Sequence, residues 1–312
     1  MALKIDDDIV HATATETIMQ NAESFTAGTN GAIKVASENI MGDLQSTSML
    51  AEIANLVGRR DISADTALTA KAVSSRDENN IKLFWGTGSI EFKLVDATRY
   101  GSDSAAFSVA IGEQIGKGIV TFMLNSAITA TKAAIAVNAG SITGNGLATA
   151  THALLNTALK PFGDARETIV CWVMKGATYA DLVGAGLGIA TANVAGGVVA
   201  DGSVGTLGRP VYMTDSDGLD MTAGVAILGL SVDSVVATET ATRNFLNEMV
   251  GGNDNLKFRI QGEGEFMLNV KGFSWKTASG VNPLGAALGT SANWEQKATD
   301  LKATAGVILN VA

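Results

Sequence analysis

The sequence predicts an α+β fold organised around an extended β-hairpin and one unusually long helix. Apolar and charged residues alternate over residues 90–94, which is the period of a half-buried strand. Large apolar residues then recur every four positions from Phe107 to Ile119, which is the period of an amphipathic helix. Several β-branched runs follow Pro161 and add further strands.

The composition describes a folded protein and excludes several kinds of site. The chain has 312 residues, of which 46% are hydrophobic and 17% charged, enough to bury a core. Its net charge of -9 argues against a nucleic-acid-binding module, because phosphate binding needs clustered cations. A single cysteine, Cys171, excludes a disulfide within the chain, and His11 and His152 lack zinc-binding spacing. We therefore expect no metal and no cofactor.

Two segments bear on targeting and membranes. The N-terminus carries three consecutive aspartates where a signal peptide would need basic residues, so we expect a cytoplasmic chain. Residues 182–200 are uncharged and long enough to cross a membrane, but they contain five glycines and have no aromatic or basic anchors. We interpret them as a Gly-rich loop or core segment and expect no membrane partner.

The first third of the chain divides by composition into three parts. Residues 1–65 hold ten acidic and four basic residues and predict an arm with polar helical fragments, of which 33–57 is the best. Residues 66–98 predict the long hairpin, with the polar stretch SSRDENN as its tip. Residues 102–138 predict the long helix, in which three glycines indicate a bend or close packing.

The remainder predicts a short helix at THALLNTALK, a buried strand at ETIVCWVM and a short helix at ATYADLV. Two strands separated by Gly262 and Gly264 come later, and the tail predicts a short helix and a last strand.

No motif predicts catalysis. Gly184, Gly186 and Gly188 have the spacing GxGxG, which departs from the dinucleotide fingerprint GxGxxG. Two acidic pairs could be imagined as glycosidase carboxylates, but Asp215 and Asp217 lie in a predicted turn and Glu263 and Glu265 in a predicted hairpin. A soluble α/β enzyme with a Gly-rich ligand loop remains the alternative from another functional class.

The hairpin instead predicts association with another copy of the chain. A two-stranded ribbon is marginal in water, and this one would expose a large apolar surface. We expect Trp85 and Phe92 to pack on a neighbour and the charged tip to set the register. The predicted apolar surface and tip comprise Ile81, Leu83, Phe84, Trp85, Ile90, Phe92 and Leu94, with Arg76, Asp77 and Glu78.

From about residue 60 to the end, the chain resembles the major capsid proteins of tailed bacteriophages, which have the Johnson fold. Three passages carry the resemblance: LLNTALKPFGDARETIVCWVMKGATYADLV, GRPVYMTDS and NPLGAALGTSANWEQKATDLKATAGVILNV. The fold is shared with encapsulins, so a nanocompartment shell is a second alternative.

The resemblance implies a domain plan. Residues 1–65 would be the N-terminal arm and 66–98 the extended loop. The peripheral domain would comprise 99–149 and 255–312, with the spine helix at 102–138, and the axial domain would comprise 150–254.

The resemblance also implies a structural protein without enzymatic activity. Hexamers and pentamers of the chain would form an icosahedral shell around phage double-stranded DNA, held non-specifically. The shell would be part of the virion and would assemble in the host bacterial cytoplasm. A separate scaffold protein, a portal and possibly a decoration protein would be the partners. We expect an uncut N-terminal arm and no covalent cross-link at Lys71 or Lys82.

Overall fold

The computed structural model describes residues 7–38, 40–50, 63, 75–93, 95, 104–194, 208–240, 243–251 and 254–312. The elements of the first half are, in chain order, α1 (Asp7–Gly28), β1 (Ile33–Ser37), β2 (Leu44–Leu50), β3 (Ser75–Gly86), β4 (Ile90–Lys93), α2 (Ser104–Ile135), β5 (Ile142–Thr143), α3 (His152–Ala158), β6 (Ile169–Met174) and α4 (Gly176–Val194).

The second half is mostly strand. Its elements are β7 (Val211–Met213), β8 (Val225–Ser231), β9 (Val235–Glu239), β10 (Asn244–Val250), β11 (Lys257–Val270), β12 (Phe273–Trp275), α5 (Gly285–Leu288), β13 (Trp294–Gln296) and β14 (Gly306–Val311). Short 3-10 turns lie between them, among them Asp217–Leu219 and Leu301–Ala303.

Two sheets hold the core, and α2 contacts strands of both. The larger sheet has seven strands centred on β11. The strands β9 and β10 lie end to end along one side of β11, and β3 and β4 lie end to end along the other. The second sheet has the order β5-β14-β8-β6-β7. One buried apolar cluster includes residues of α2 and of both sheets, so the spine helix is a core element of the fold.

The predicted spine helix is present, and its glycines have different roles. A Cβ atom on Gly112 would lie 2.8 Å from the Val10 carbonyl oxygen, and one on Gly116 would lie 2.9 Å from the Thr17 Cβ. These two glycines therefore let α1 approach the α2 backbone closely. A Cβ on Gly118 would meet nothing within 4 Å.

The predicted helix at residues 33–57 is wrong for the part that the structure describes, and residues 51–57 lie outside the described residues. The helix of the N-terminal region is α1, and residues 33–37 and 44–50 are strands of the large sheet. The helix α1 packs closely against α2 with few large apolar residues, because its small Ala14 is buried where α2 has glycines. The arm is therefore laid over the spine helix of its own chain.

The predicted hairpin at residues 66–98 has the wrong strand pairing. Residues 66–74 and Leu94 lie outside the described residues, and the polar stretch predicted as the tip belongs to β3. The residues of β3 and β4 run in one direction along β11 instead of pairing with each other. The antiparallel partner of the first half of β3 is β2, so the ribbon is formed by β2 and β3.

Three further predictions differ from the structure, and two of them concern glycines. The Gly-rich residues 184–188 continue α4 as a helix instead of forming a loop. Gly262 and Gly264 lie within the single 14-residue strand β11, where the rings of Phe245 and Trp85 cover them. The predicted tail helix is replaced by β13 and 3-10 turns.

Among the described residues, one helix is long and apolar enough to cross a membrane by length and composition, Ala105–Ile135. It belongs to α2, and 67% of its most apolar window is buried within the fold, as is common for core helices of soluble proteins.

Candidate assembly surfaces

The β2–β3 ribbon continues past the sheet that anchors it. Pairing between β3 and β11 ends at Ile81, whereas pairing between β3 and β2 continues to Ser75 opposite Leu50. Six residues of β3 therefore extend beyond the last β11 pair, a length of about 20 Å at 3.3 Å per residue. The connection between the two strands, residues 51–74, lies outside the described residues except for Ser63.

The three charged residues predicted at the tip lie along this ribbon. Arg76 donates a hydrogen bond to the Lys297 carbonyl oxygen, which fastens β3 to the residues after β13. Asp77 is exposed and accepts a hydrogen bond from Ser48 Oγ on β2. Glu78 is buried, and burial raises the pKa of its carboxyl.

A buried polar cluster fixes the base of the ribbon. The Lys82 ammonium lies 2.8 Å from the Glu265 carboxylate and donates to the Ile40 carbonyl oxygen. Glu265 also accepts a hydrogen bond from Thr240 Oγ1, and its contact with Lys82 lowers its pKa. Because β1 and β2 lie at opposite ends of the strand order, the chain around Ile40 and Asp43 crosses the sheet directly over this cluster.

The apolar residues of β3 and β4 are covered by their own chain more than predicted. Ile81, Leu83 and Trp85 are buried, because β11 and α2 pack against them. Phe92 is half-buried and stacks on Phe258 at 5.8 Å. The expected exposure is therefore wrong for the three buried residues.

An apolar groove remains open between α2 and the edge of β3 and β4. Its volume is about 610 Å³. Phe84, Ile90 and Phe122 are each more than one-third exposed at this groove. Trp85, Ile119 and Gly118 are among its other lining residues.

A ladder of ion pairs covers the outer face of β4, β11 and β10. Arg259 bridges Glu91 and Glu248, at 2.5 Å and 3.1 Å, and Lys257 approaches Glu91 at 3.4 Å. The hydrogen bonds from Arg259 lower the pKa of Glu91. This face is charged but locally balanced, since each carboxylate has a cationic neighbour.

The other sequence candidates are not gathered into a catalytic site. Asp215 accepts a hydrogen bond from the Gly176 N–H, so it caps the start of α4. Cys171 is fully buried, and burial raises the pKa of its thiol to about 11, which makes it a poor nucleophile. Within the part of the chain that the structure describes, no cluster of three or more His, Cys, Asp or Glu residues could hold a metal ion.

Comparison with protein families identifies the functional class of the chain. Residues 2–308 match the model of the family described as "Gp13-like: Major capsid protein 13-like". The chain belongs to this family of major capsid proteins. Its members are shell-forming coat proteins, which confirms the functional class implied by the sequence. No curated protein sequence matches the chain.

Solved phage structures share the fold. A chain from Mycobacterium phage Cain aligns with a TM-score of 0.54 at 14% identity, covering 91% of this chain and 89% of the other. A chain from Mycobacterium phage Adephagia gives 0.53 at 12% identity, covering 91% and 90%. A third, titled "Cyanophage Pam1 capsid asymmetric unit", gives 0.50 at 11% identity, covering 76% and 84%. Identities this low show the fold alone, and they confirm the mixed helix and sheet fold of phage capsid proteins.

Proposed function

We propose that this capsid protein assembles as hexamers and pentamers into an icosahedral shell that encloses phage double-stranded DNA. The observation that carries the proposal is the β2–β3 ribbon, which extends about 20 Å beyond its own sheet. Its β3 side is held by its own chain through Arg76 and Asn79, whereas Ser46, Thr47 and Ser48 of β2 are exposed. Contact with a neighbouring copy would cover this exposed side of the ribbon.

The predicted contact residues have distinct roles in this proposal. Arg76 holds the ribbon against its own chain, which leaves the exposed Asp77 to set the register against a neighbour. Glu78 is buried beside them and supports the strand. Trp85 lines the groove that would receive apolar residues of the neighbour. Phe92 holds β4 against β11 by stacking on Phe258.

Membership of a capsid protein family supports a structural role without catalysis. The proposed partners are other copies of the chain, a separate scaffold protein, a portal, and DNA held without sequence specificity. A decoration protein is an optional further partner. The site of action would be the virion, after assembly in the host bacterial cytoplasm. The net charge of -9 supports non-specific packaging, because an acidic lumen repels DNA and lets it slide. The domain boundaries inferred from the resemblance stay part of this proposal.

A deletion that tests the ribbon has to leave β3 intact. Removing residues 74–80 would destroy β3, so the test removes the connection 51–74. Leu50 and Ser75 are direct partners, and a two-residue Asn-Gly turn can join them. The deleted protein should keep the circular dichroism of the full chain but form no closed shells.

A matched control is Leu147→Ser, which changes an exposed apolar residue outside the ribbon and the groove. Hydrogen exchange of the outer part of the ribbon, residues 46–50 and 75–78, should be faster in unassembled subunits than in particles. Equal exchange in both states would overturn the proposed role of the ribbon, and normal shells from the deleted protein would overturn a role for its connection.

A further inference from the structure

The loop between β12 and β13 presents an apolar tip. Residues 277–293 contain no charged residue, and Leu284 near the middle of this loop is 81% exposed. Val281 is also more than half exposed. We call residues 281–284 the knob. Single exposed apolar side chains are common, but two so close together on an uncharged loop form an apolar surface.

Two buried tryptophans hold the ends of this loop. The Trp275 indole N–H donates to the Gly280 carbonyl oxygen at 2.9 Å. The Trp294 indole N–H donates to the Leu288 carbonyl oxygen at 3.0 Å. The two rings meet edge to face, with 5.2 Å between their centroids. The ring of Pro283 fixes a further backbone angle of the knob. Docking of the knob therefore costs little conformational entropy.

The knob lies at one end of the apolar groove between α2 and the edge of β3. The Phe84 N–H, at the groove, donates to Asn282 Oδ1 at 3.3 Å. On the other side, α5 follows the knob and contacts α2. As far as the described residues show, the knob and the groove therefore form one continuous apolar surface. Its exposed large side chains are Phe84, Ile90, Phe122, Val281 and Leu284.

This surface is large enough to form the centre of an interface. Fully exposed side chains of this size present about 150–200 Å² each, so the exposed fractions of these five amount to roughly 450 Å². A typical monomer exposes a largest apolar patch of about 300–600 Å², which is often functional. The area is about half of what each partner buries in a stable interface. The described residues that line the groove carry no charge, so docking an apolar group there desolvates no ion.

We propose that a second copy of this chain docks on this surface across a two-fold axis, with the knob of each copy in the groove of the other. The inference rests on the proposed assembly and names the residues of the neighbour that fill the groove. A second copy fits because the knob and the groove lie side by side, so one contact covers both surfaces of both copies. The exposed ribbon residues Ser46, Thr47 and Ser48 fit less well, because an apolar groove would leave their hydroxyls without partners.

Mixed particles of two single-cysteine variants test the contact. A Cβ on Gly118, in the groove, would meet nothing within 4 Å, so Gly118→Cys fits without strain. The full chains Gly118→Cys and Leu284→Cys are co-expressed, assembled and oxidised, so that a disulfide between the two new cysteines joins different copies. Mixed particles should give at least tenfold more covalent dimer on a non-reducing gel than particles of either variant alone. The native Cys171 is fully buried, so wild-type particles should give none.

Two further mixtures are matched controls. Leu147→Cys replaces a leucine of similar exposure that follows β5 of the second sheet, and it should not link to Gly118→Cys. Intact particles without dimer, or equal linking of Leu147→Cys and Leu284→Cys, would overturn the knob contact and leave the shell proposal standing. Linking of Ser48→Cys in place of Leu284→Cys would assign the groove to the ribbon and overturn it too. Failure of the wild type to form particles under any condition would overturn both proposals.

Hydroxyl-radical labelling of the wild type gives a readout that needs no variant. Phe84, Phe122 and Leu284 should react in unassembled subunits and at least fivefold less in particles. Equal labelling in both states would contradict the docking. Weak labelling already in unassembled subunits would show that another part of the same chain covers the surface, and this result would also overturn the proposal.

Discussion

Alanine substitutions at the three glycines of α2 should separate close helix packing from helix propensity. Gly112 and Gly116 face α1, whereas Gly118 faces open space on the same helix. Gly118→Ala is therefore an internal control with the same chemical change and without the contact.

The expected magnitudes follow from two opposing effects. Replacing an interior helical glycine by alanine stabilises a helix by about 1 kcal/mol. At Gly112 the new Cβ would lie 2.8 Å from a backbone carbonyl oxygen of Val10, which cannot rotate away. Overpacking of this kind costs about 1–3 kcal/mol. Gly118→Ala should raise the free energy of unfolding by about 1 kcal/mol, and Gly112→Ala and Gly116→Ala should lower it by up to about 2 kcal/mol.

The assay is urea unfolding of unassembled subunits followed by circular dichroism, with hydrogen exchange of α1 measured in parallel. Amides of α1 should lose protection in the Gly112 and Gly116 variants and keep it in the Gly118 variant. If all three variants are stabilised equally, α1 does not pack closely against Gly112 and Gly116 of α2.

Three other substitutions test the ribbon and the N-terminal helix. Lys82→Met should lower the free energy of unfolding by about 2 kcal/mol, because Glu265 loses its counter-ion; this value lies between those for exposed and fully buried pairs. Adding Glu265→Gln should restore most of the lost stability. Unchanged stability of Lys82→Met would contradict the buried cluster. Burial raises the pKa of Glu78, so its contribution to stability is full below the unfolded pKa and falls as pH rises through the folded pKa. Glu78→Gln should therefore be more stable than the wild type at pH 8 and equal to it at pH 4 in urea titrations; equal stability at both would refute the burial effect. Arg243 donates hydrogen bonds to Thr15 on α1 and to the Glu239 carboxylate, and Arg243→Met removes both. Hydrogen exchange in α1 should therefore become faster. Unchanged exchange would show that these two hydrogen bonds do not hold α1 in place.

Periodicity predicted the elements whose own residues carry the pattern. The spine helix repeats apolar residues every four positions, and it is present as Ser104–Ile135. The strands β6 and β8 are continuous apolar runs and lie buried in the second sheet.

The ribbon could not be predicted in the same way, because its residues are polar and its burial depends on distant parts of the chain. Asn79 donates from its backbone N–H to Ser274 Oγ, nearly two hundred residues away. Arg76 is held by the residues after β13. Local composition therefore favoured a turn, and tertiary contacts produced a strand.

Glycine was misread for a related reason. In this fold three aromatic rings lie opposite glycines on neighbouring strands: Phe245 over Gly262, Trp85 over Gly264 and Trp172 over Gly229. A glycine in a strand leaves room for such a ring, and the ring covers the backbone that glycine exposes. From sequence alone Gly262 and Gly264 resemble turn residues.

Electron microscopy of the full chain, expressed alone and together with the genes that flank its own, tests the central claim most directly. The account predicts closed shells of uniform diameter in at least one of the two preparations, with the β2–β3 ribbon of each subunit lying on a neighbouring copy. Only monomers or dimers in both preparations, at every protein concentration, would contradict it.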